Sequence, residues 1–126
     1  MASARLLFET AVGDFNAGRY FEAHEHFEAI WQPLAEGAEK TLLQALIQLS
    51  VALHHRRANN SVGFQNVLER ACDNFARFRK EASLPDESLL NTLDFDDVIA
   101  QAAMLESDPD DHTLPTIRLK TKTPGQ

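Results

Sequence analysis

Leu42-Leu43-Gln44-Ala45-Leu46-Ile47-Gln48-Leu49-Ser50-Val51-Ala52-Leu53 is the longest apolar stretch of the chain, and two glutamines interrupt it. It is too short for a membrane span, which needs about 20 apolar residues. Its apolar positions cover most of a helical circumference, so the stretch predicts a helix buried on nearly every side. That helix should run from about Ala38 to Ala58, between the Ala35-Glu36-Gly37 loop and the break at Asn59-Asn60-Ser61. A helix of this kind needs other helices around it, which makes the fold class all-α.

The rest of the chain supplies the partners. Leu7, Phe8, Ala11, Val12 and Phe15 mark one face of a first helix, stopped at Asn16-Ala17-Gly18. A second helix is expected from about Arg19 to Trp31, ended by Pro33, which disfavours helix at the residue before it. A fourth spans roughly Val62 to Ala82, with Val67, Leu68, Ala71, Phe75 and Phe78 inward and Pro85 beyond it. Asp94 opens a shorter fifth helix, with Asp96 and Asp97 in the first turn, where the helix dipole favours carboxylates. Strict apolar/polar alternation is missing. The expected architecture is a compact bundle of four long helices plus a short fifth over residues 1–106, followed by an extended or flexible C-terminal tail over 107–126. The apolar positions Leu114, Ile117 and Leu119 could dock that tail on its own bundle or on a second copy, and the sequence leaves both open.

With 126 residues there is room for one domain, and the formal charge of −7 argues against a nucleic-acid surface. The charge is unevenly placed. Residues 1–80 balance, whereas the stretch from Glu81 to Asp111 holds acids and no lysine or arginine. A single cysteine, Cys72, excludes an internal disulfide framework and a cysteine-rich zinc site, and it fits a reducing compartment. The first ten residues carry no secretory pattern. Together these features predict a cytoplasmic protein without nucleic-acid or membrane partners. There is also no glycine-rich phosphate loop and no Gly-x-Ser-x-Gly elbow.

The densest group of chemically capable residues is Tyr20-Phe21-Glu22-Ala23-His24-Glu25-His26-Phe27-Glu28-Ala29-Ile30-Trp31. His24, Glu28 and Trp31 stand at i, i+4 and i+7 and therefore share one face of the second helix. With Phe21 and Phe27 flanking it, that face is expected to point into the bundle. Buried groups of this kind must pair with each other, ligate a metal or bind a substrate, because unpaired burial is costly. The run departs from His-Glu-x-x-His at a ligand position, since Glu28 stands where the second histidine would be. As an i, i+4 pair, His24 and Glu28 could still offer two ligands to a divalent metal. Further donors are sought on the third helix. Gln44, Gln48 and His55 fall within about 40° of one another on an ideal wheel, with His54 about 80–100° away toward the apolar side. The metal set expected on this basis is His24, Glu28 and His54, supported by Trp31, Gln44, Gln48 and His55. A purely structural role for the His24–Glu28 pair, as a buried hydrogen bond, stands beside it.

The run Phe15-Asn16-x-Gly18-x-Tyr20-x-Glu22-x-His24-Glu25-x-x-Glu28-x-x-Trp31 resembles the family called domain of unknown function 309, whose signature is His-x-x-x-Glu-x-x-Trp. The stretch from Leu42 to Gln48, then Ala52-Leu53-His54, a basic pair and Asn60-x-x-Gly63, is similar to the family's second segment. The resemblance covers roughly Leu7 to Phe78. It implies a small helical bundle, metal binding by His24 and Glu28, and a metal-dependent hydrolase. The tail after Asp108 is outside it. Gly18-x-Tyr20-x-x-Ala23-x-x-x-Phe27-x-x-Ile30-x-x-Pro33 also resembles one tetratricopeptide helix, which would imply a protein-binding module. The leading expectation is thus a small helical protein with a buried His/Glu site, a divalent metal as cofactor and hydrolysis as the reaction. The alternative is a non-enzymatic binding or scaffold module in which His24, Glu28 and Trp31 are structural.

Overall fold

The computed structural model describes residues 3–81 and 83–120. Within them lie α1 (Ala4–Asn16), α2 (Tyr20–Trp31), α3 (Ala38–Arg57), α4 (Ser61–Lys80), a 3-10 helix (Leu89–Thr92) and α5 (Phe95–Ser107). The all-α class holds, and no β-strand forms among the described residues beyond a single bridge between Leu93 and Leu119. None of these helices is long and apolar enough to cross a membrane.

Each boundary has a local cause. Ser3 caps α1 by accepting from the Leu6 amide at 3.1 Å, so the helix begins before the first apolar position. Gly18, at φ 84°, makes the reversal into α2 in a backbone region that other residues enter at a cost. Its carbonyl accepts a hydrogen bond from Arg57, which ties the α1–α2 turn to the end of α3. Asn60 caps α4 by accepting from the Gly63 amide at 3.0 Å, and Asn59 turns the chain there with φ 59°. Asp94 caps α5 through the Asp97 amide at 3.2 Å. α4 ends at Lys80, short of the expected Ala82, which lies outside the described residues. The 3-10 helix was not anticipated. It is a single capped turn, with Ser88 accepting from the Leu90 amide, and leaves no period to read.

α3 occupies the centre, packed against α2 on one side and α4 on the other. Ten of its residues are buried, including Leu42, Leu43, Leu46, Leu49 and Leu53. Phe8, Phe15 and Phe27 fill the space toward α1 and α2, and Phe75 and Leu68 the space toward α4. Phe8 meets Phe27 edge-on at 6.1 Å, the geometry that aligns ring edge with ring face. α1 and α2 are further joined through Asp14. This buried carboxylate accepts from Arg19 Nε and from His26 Nδ1, each at 2.9 Å.

The described part of the tail, up to residue 120, lies against the chain's own bundle, and residues 121–126 of the expected tail lie outside the described residues. Ile117 is 2% exposed. The Asn16 side chain pairs with both backbone groups of Ile117, donating to its carbonyl at 2.9 Å and accepting from its amide at 2.7 Å. Gln101 does the same for Thr116, at 2.9 Å each way. The Asp94 amide donates to the Arg118 carbonyl, and the Lys120 amide to the Thr92 carbonyl. Arg56 reaches the carbonyls of Asp111 and Thr113 from the end of α3.

Candidate functional site

The inward stripe of α2 is Tyr20, Ala23, Phe27 and Ile30. His24, Glu28 and Trp31 each follow one of these by one residue, so their row is rotated about 100° from the stripe. The expected interior His/Glu site sits instead at the edge of the core, with His24 largely covered and Glu28 half in solvent. The side chains of His24 and Glu28 are 21% and 46% exposed, and Phe21, expected to flank an interior face, is 48% exposed. Local spacing groups the three residues correctly. Which stripe turns inward is decided by the packing of α2 on α1 and α3.

His24 Nδ1 lies 2.9 Å from the Phe21 carbonyl oxygen. A carbonyl can only accept, so Nδ1 carries the proton, and in the neutral ring Nε2 is left as a lone-pair donor. That atom stands 3.7 Å from Glu28 Oε2. The separation is too long for a hydrogen bond and suits an ion pair only when the ring is charged. Among the described residues nothing else bonds to the Glu28 carboxylate. The two side chains are therefore not joined by a hydrogen bond to each other.

The other proposed donors are dispersed. The His54 ring lies against Phe21, with centroids 5.7 Å apart, and Phe21 in turn contacts the His24 ring at 5.2 Å. His54 is exposed although the wheel placed it toward the apolar side, because the last turn of α3 reaches the edge of the bundle. His55 stands beside the Asn60 cap, with Asn60 Nδ2 3.2 Å from its Nδ1. Gln48 accepts from Asn74 Nδ2 on α4 at 2.7 Å. Gln44 and Trp31 are half-buried toward the opposite end of α2. Among the described residues no three His, Cys, Asp or Glu side chains gather closely enough to hold a metal ion. A catalytic zinc takes three protein ligands and a structural one takes four, so the donor set fits neither. Two donors about 2.1 Å from one ion stand roughly 3–3.5 Å apart, close to the 3.7 Å between His24 Nε2 and Glu28 Oε2.

Three side chains beyond the sequence expectations gather around Trp31. Lys40 lies over the Trp31 ring with Nζ 4.4 Å from its centroid. Asn74 and Arg77 come from α4 to line a pocket with Trp31 and Gln44. Neither residue follows a recognisable spacing, since the pocket joins α2, α3 and α4. Cys72, by contrast, is withdrawn from chemistry. Burial, then the nearby Glu106 carboxylate, pushes its thiol up to about 12.

Fold and site together define a small all-helical protein with a largely covered histidine beside a half-exposed carboxylate on its second helix. Residues 8–67 match the family described as Domain of unknown function (DUF309), which supports that family for the segment from α1 into α4. The match contains both resembling stretches and ends at Val67, short of the Phe78 limit read from the sequence. No curated protein and no solved structure matches the chain significantly.

Proposed function

We propose that this protein is a ligand-binding helical module whose His24–Glu28 pair captures a divalent cation in an open shell, with water or a bound ligand supplying the remaining positions. The observation that carries this reading is the His24 tautomer. Its Nδ1 proton is held by the Phe21 carbonyl, which aims the free Nε2 lone pair at an otherwise unpaired carboxylate. Histidines that ligate metals are oriented in this way by the hydrogen bond at the other ring nitrogen. Hydrolysis is the chemistry a cation would supply here, by acidifying a bound water. With only two protein donors gathered, we infer binding as the primary role and no resident hydrolytic centre.

Zinc titration of the purified protein by calorimetry tests the proposal. Wild type should bind about one equivalent, weakly, and both His24→Ala and Glu28→Ala should abolish it. His54→Ala should retain it, because that ring sits against Phe21 and outside any donor cluster. A wild type that takes up no zinc, cobalt or manganese would refute the cation reading and favour the module in which the pair is structural.

A further inference from the structure

We propose a second site, independent of the His24–Glu28 pair, in the pocket between the end of α2, the start of α3 and the middle of α4. It would take a small oxyanion, best matched by the carboxylate of an organic acid. The pocket is an open depression of about 170 Å³ whose lining includes Trp31, Glu36, Lys40, Gln44, Asn74 and Arg77. At about 30 Å³ per water it has room for a carboxylate with a short organic body.

The lining is rich in donors with unspent capacity. The Trp31 indole Nε1–H is buried and has no hydrogen-bond partner among the described residues. Buried N–H groups are nearly always bonded. This orphaned one, closed off from solvent behind the pocket wall, is a secondary donor, and the open donors of the lining carry the site. Lys40 Nζ, whose side chain is 17% exposed, donates to the Leu34 carbonyl at 3.0 Å and stands 4.0 Å from Glu36. An ammonium has three protons, and one is taken by that carbonyl. Arg77 uses Nε toward Glu81 at 3.4 Å, leaving the remainder of its fork free. Asn74 spends one amide proton on Gln48, and Gln44 makes no side-chain hydrogen bond among the described residues.

Charge narrows the ligand class. Lys40 and Arg77 are opposed by Glu36 at the rim and by Glu81, which also accepts from Thr41 at 2.7 Å. Two cations facing two carboxylates leave no net charge, so an anion is held by directed donors. Repulsion from Glu36 and Glu81 falls harder on a phosphate dianion than on a singly charged carboxylate.

Trp31 is the sole tryptophan, so its fluorescence reports on this pocket directly. The probes are acetate, glycolate and inorganic phosphate, with sodium chloride at matched ionic strength as reference. All solutions are stripped of divalent cations on chelating resin, so failure of the cation reading does not touch this test. The expected result is a saturable Trp31 response to a carboxylate, weaker with phosphate and absent with chloride. Arg77→Gln, a substitution at a side chain 64% exposed, should weaken the response about tenfold, as loss of one charge-assisted hydrogen bond does. Arg79→Gln, which removes an outward pair with Asp96, should leave it unchanged. A response that tracks ionic strength alone, or equal effects of the two arginine substitutions, would overturn the site. Tighter binding of phosphate than of either carboxylate would overturn the ligand class.

Discussion

Replacing His24 by alanine separates a binding role from a structural one, and the structure sets the magnitude. The variant loses the hydrogen bond to the Phe21 carbonyl, worth about 1 kcal/mol net at an accessible position. It loses a half-exposed i, i+4 pair with Glu28, worth about 0.3–0.5 kcal/mol at most. The stacking on Phe21 adds roughly 0.5 kcal/mol, since that ring is itself half in solvent. Alanine returns about 0.5 kcal/mol through its better helix propensity. The net destabilisation should be about 1–1.5 kcal/mol. Phe27→Ala, on the buried stripe of the same helix, should cost about 3–5 kcal/mol. Urea unfolding followed by circular dichroism resolves the two, with m unchanged in the His24 variant. Glu28→Ala should cost about 0.5 kcal/mol or less, and the double-mutant cycle should give a coupling of about 0.5 kcal/mol. A cost of about 3 kcal/mol for His24→Ala, or a coupling above about 1.5 kcal/mol, would refute the reasoning. It would mean that the pair is a structural unit with its valence already spent.

Asn16→Ala removes both hydrogen bonds to the Ile117 backbone and should loosen the tail by about 1–2 kcal/mol. Hydrogen exchange should then quicken at Ile117 and at Asp94, whose amide bonds to Arg118, while α3 stays protected. Cys72, with its thiol raised to about 12 from 9.0, should alkylate at pH 8 at least about tenfold more slowly than in the unfolded chain. Its smaller thiolate fraction is offset only in part by the greater nucleophilicity of a more basic thiolate, and equal rates would contradict the raised pKa. The sign of the linked pH effect is definite. Below pH 9 both states keep the proton, and from there to about 12 the unfolded thiol ionises first, so stability falls as pH rises through this window. Gly18→Ala should destabilise by about 1–2 kcal/mol, since its Cβ would enter a positive-φ position 2.7 Å from Arg57 Nη2. Gly13→Ala, in open space on α1, should instead stabilise by about 0.5–1 kcal/mol. Thermal melts of the two variants should therefore move in opposite directions.

The helices were legible because their signals are local. Leu42 to Leu53 announces a buried helix, and Gly18, the Asn59-Asn60 pair and Asp94 mark turns or caps through their own backbone and side-chain chemistry. The grouping of His24, Glu28 and Trp31 was legible for the same reason, since a helix fixes which residues share a face. The direction of that face was not. Ala23-Phe27-Ile30 and His24-Glu28-Trp31 are neighbouring stripes, each with large rings on or beside it, and both satisfy a helical period. The choice between them depends on how α1 and α3 close over α2. His54 was misplaced toward the interior by the same limit, as a wheel does not show where a helix runs past its neighbours.

By itself, then, the sequence determined the all-α class, the run of five helices and the residues of the second-helix row, all consequences of spacing along one chain segment. The tertiary structure alone decided that this row lies at the edge of the core rather than within it and that the described part of the tail docks on its own bundle. It alone decided, too, that Asn74 and Arg77 meet Trp31 across α3. Each of these rests on contacts between distant residues, as when Asn16 pairs with Ile117, 101 positions away. Such contacts leave no periodic trace in the chain. They follow from which buried faces can be packed together at once.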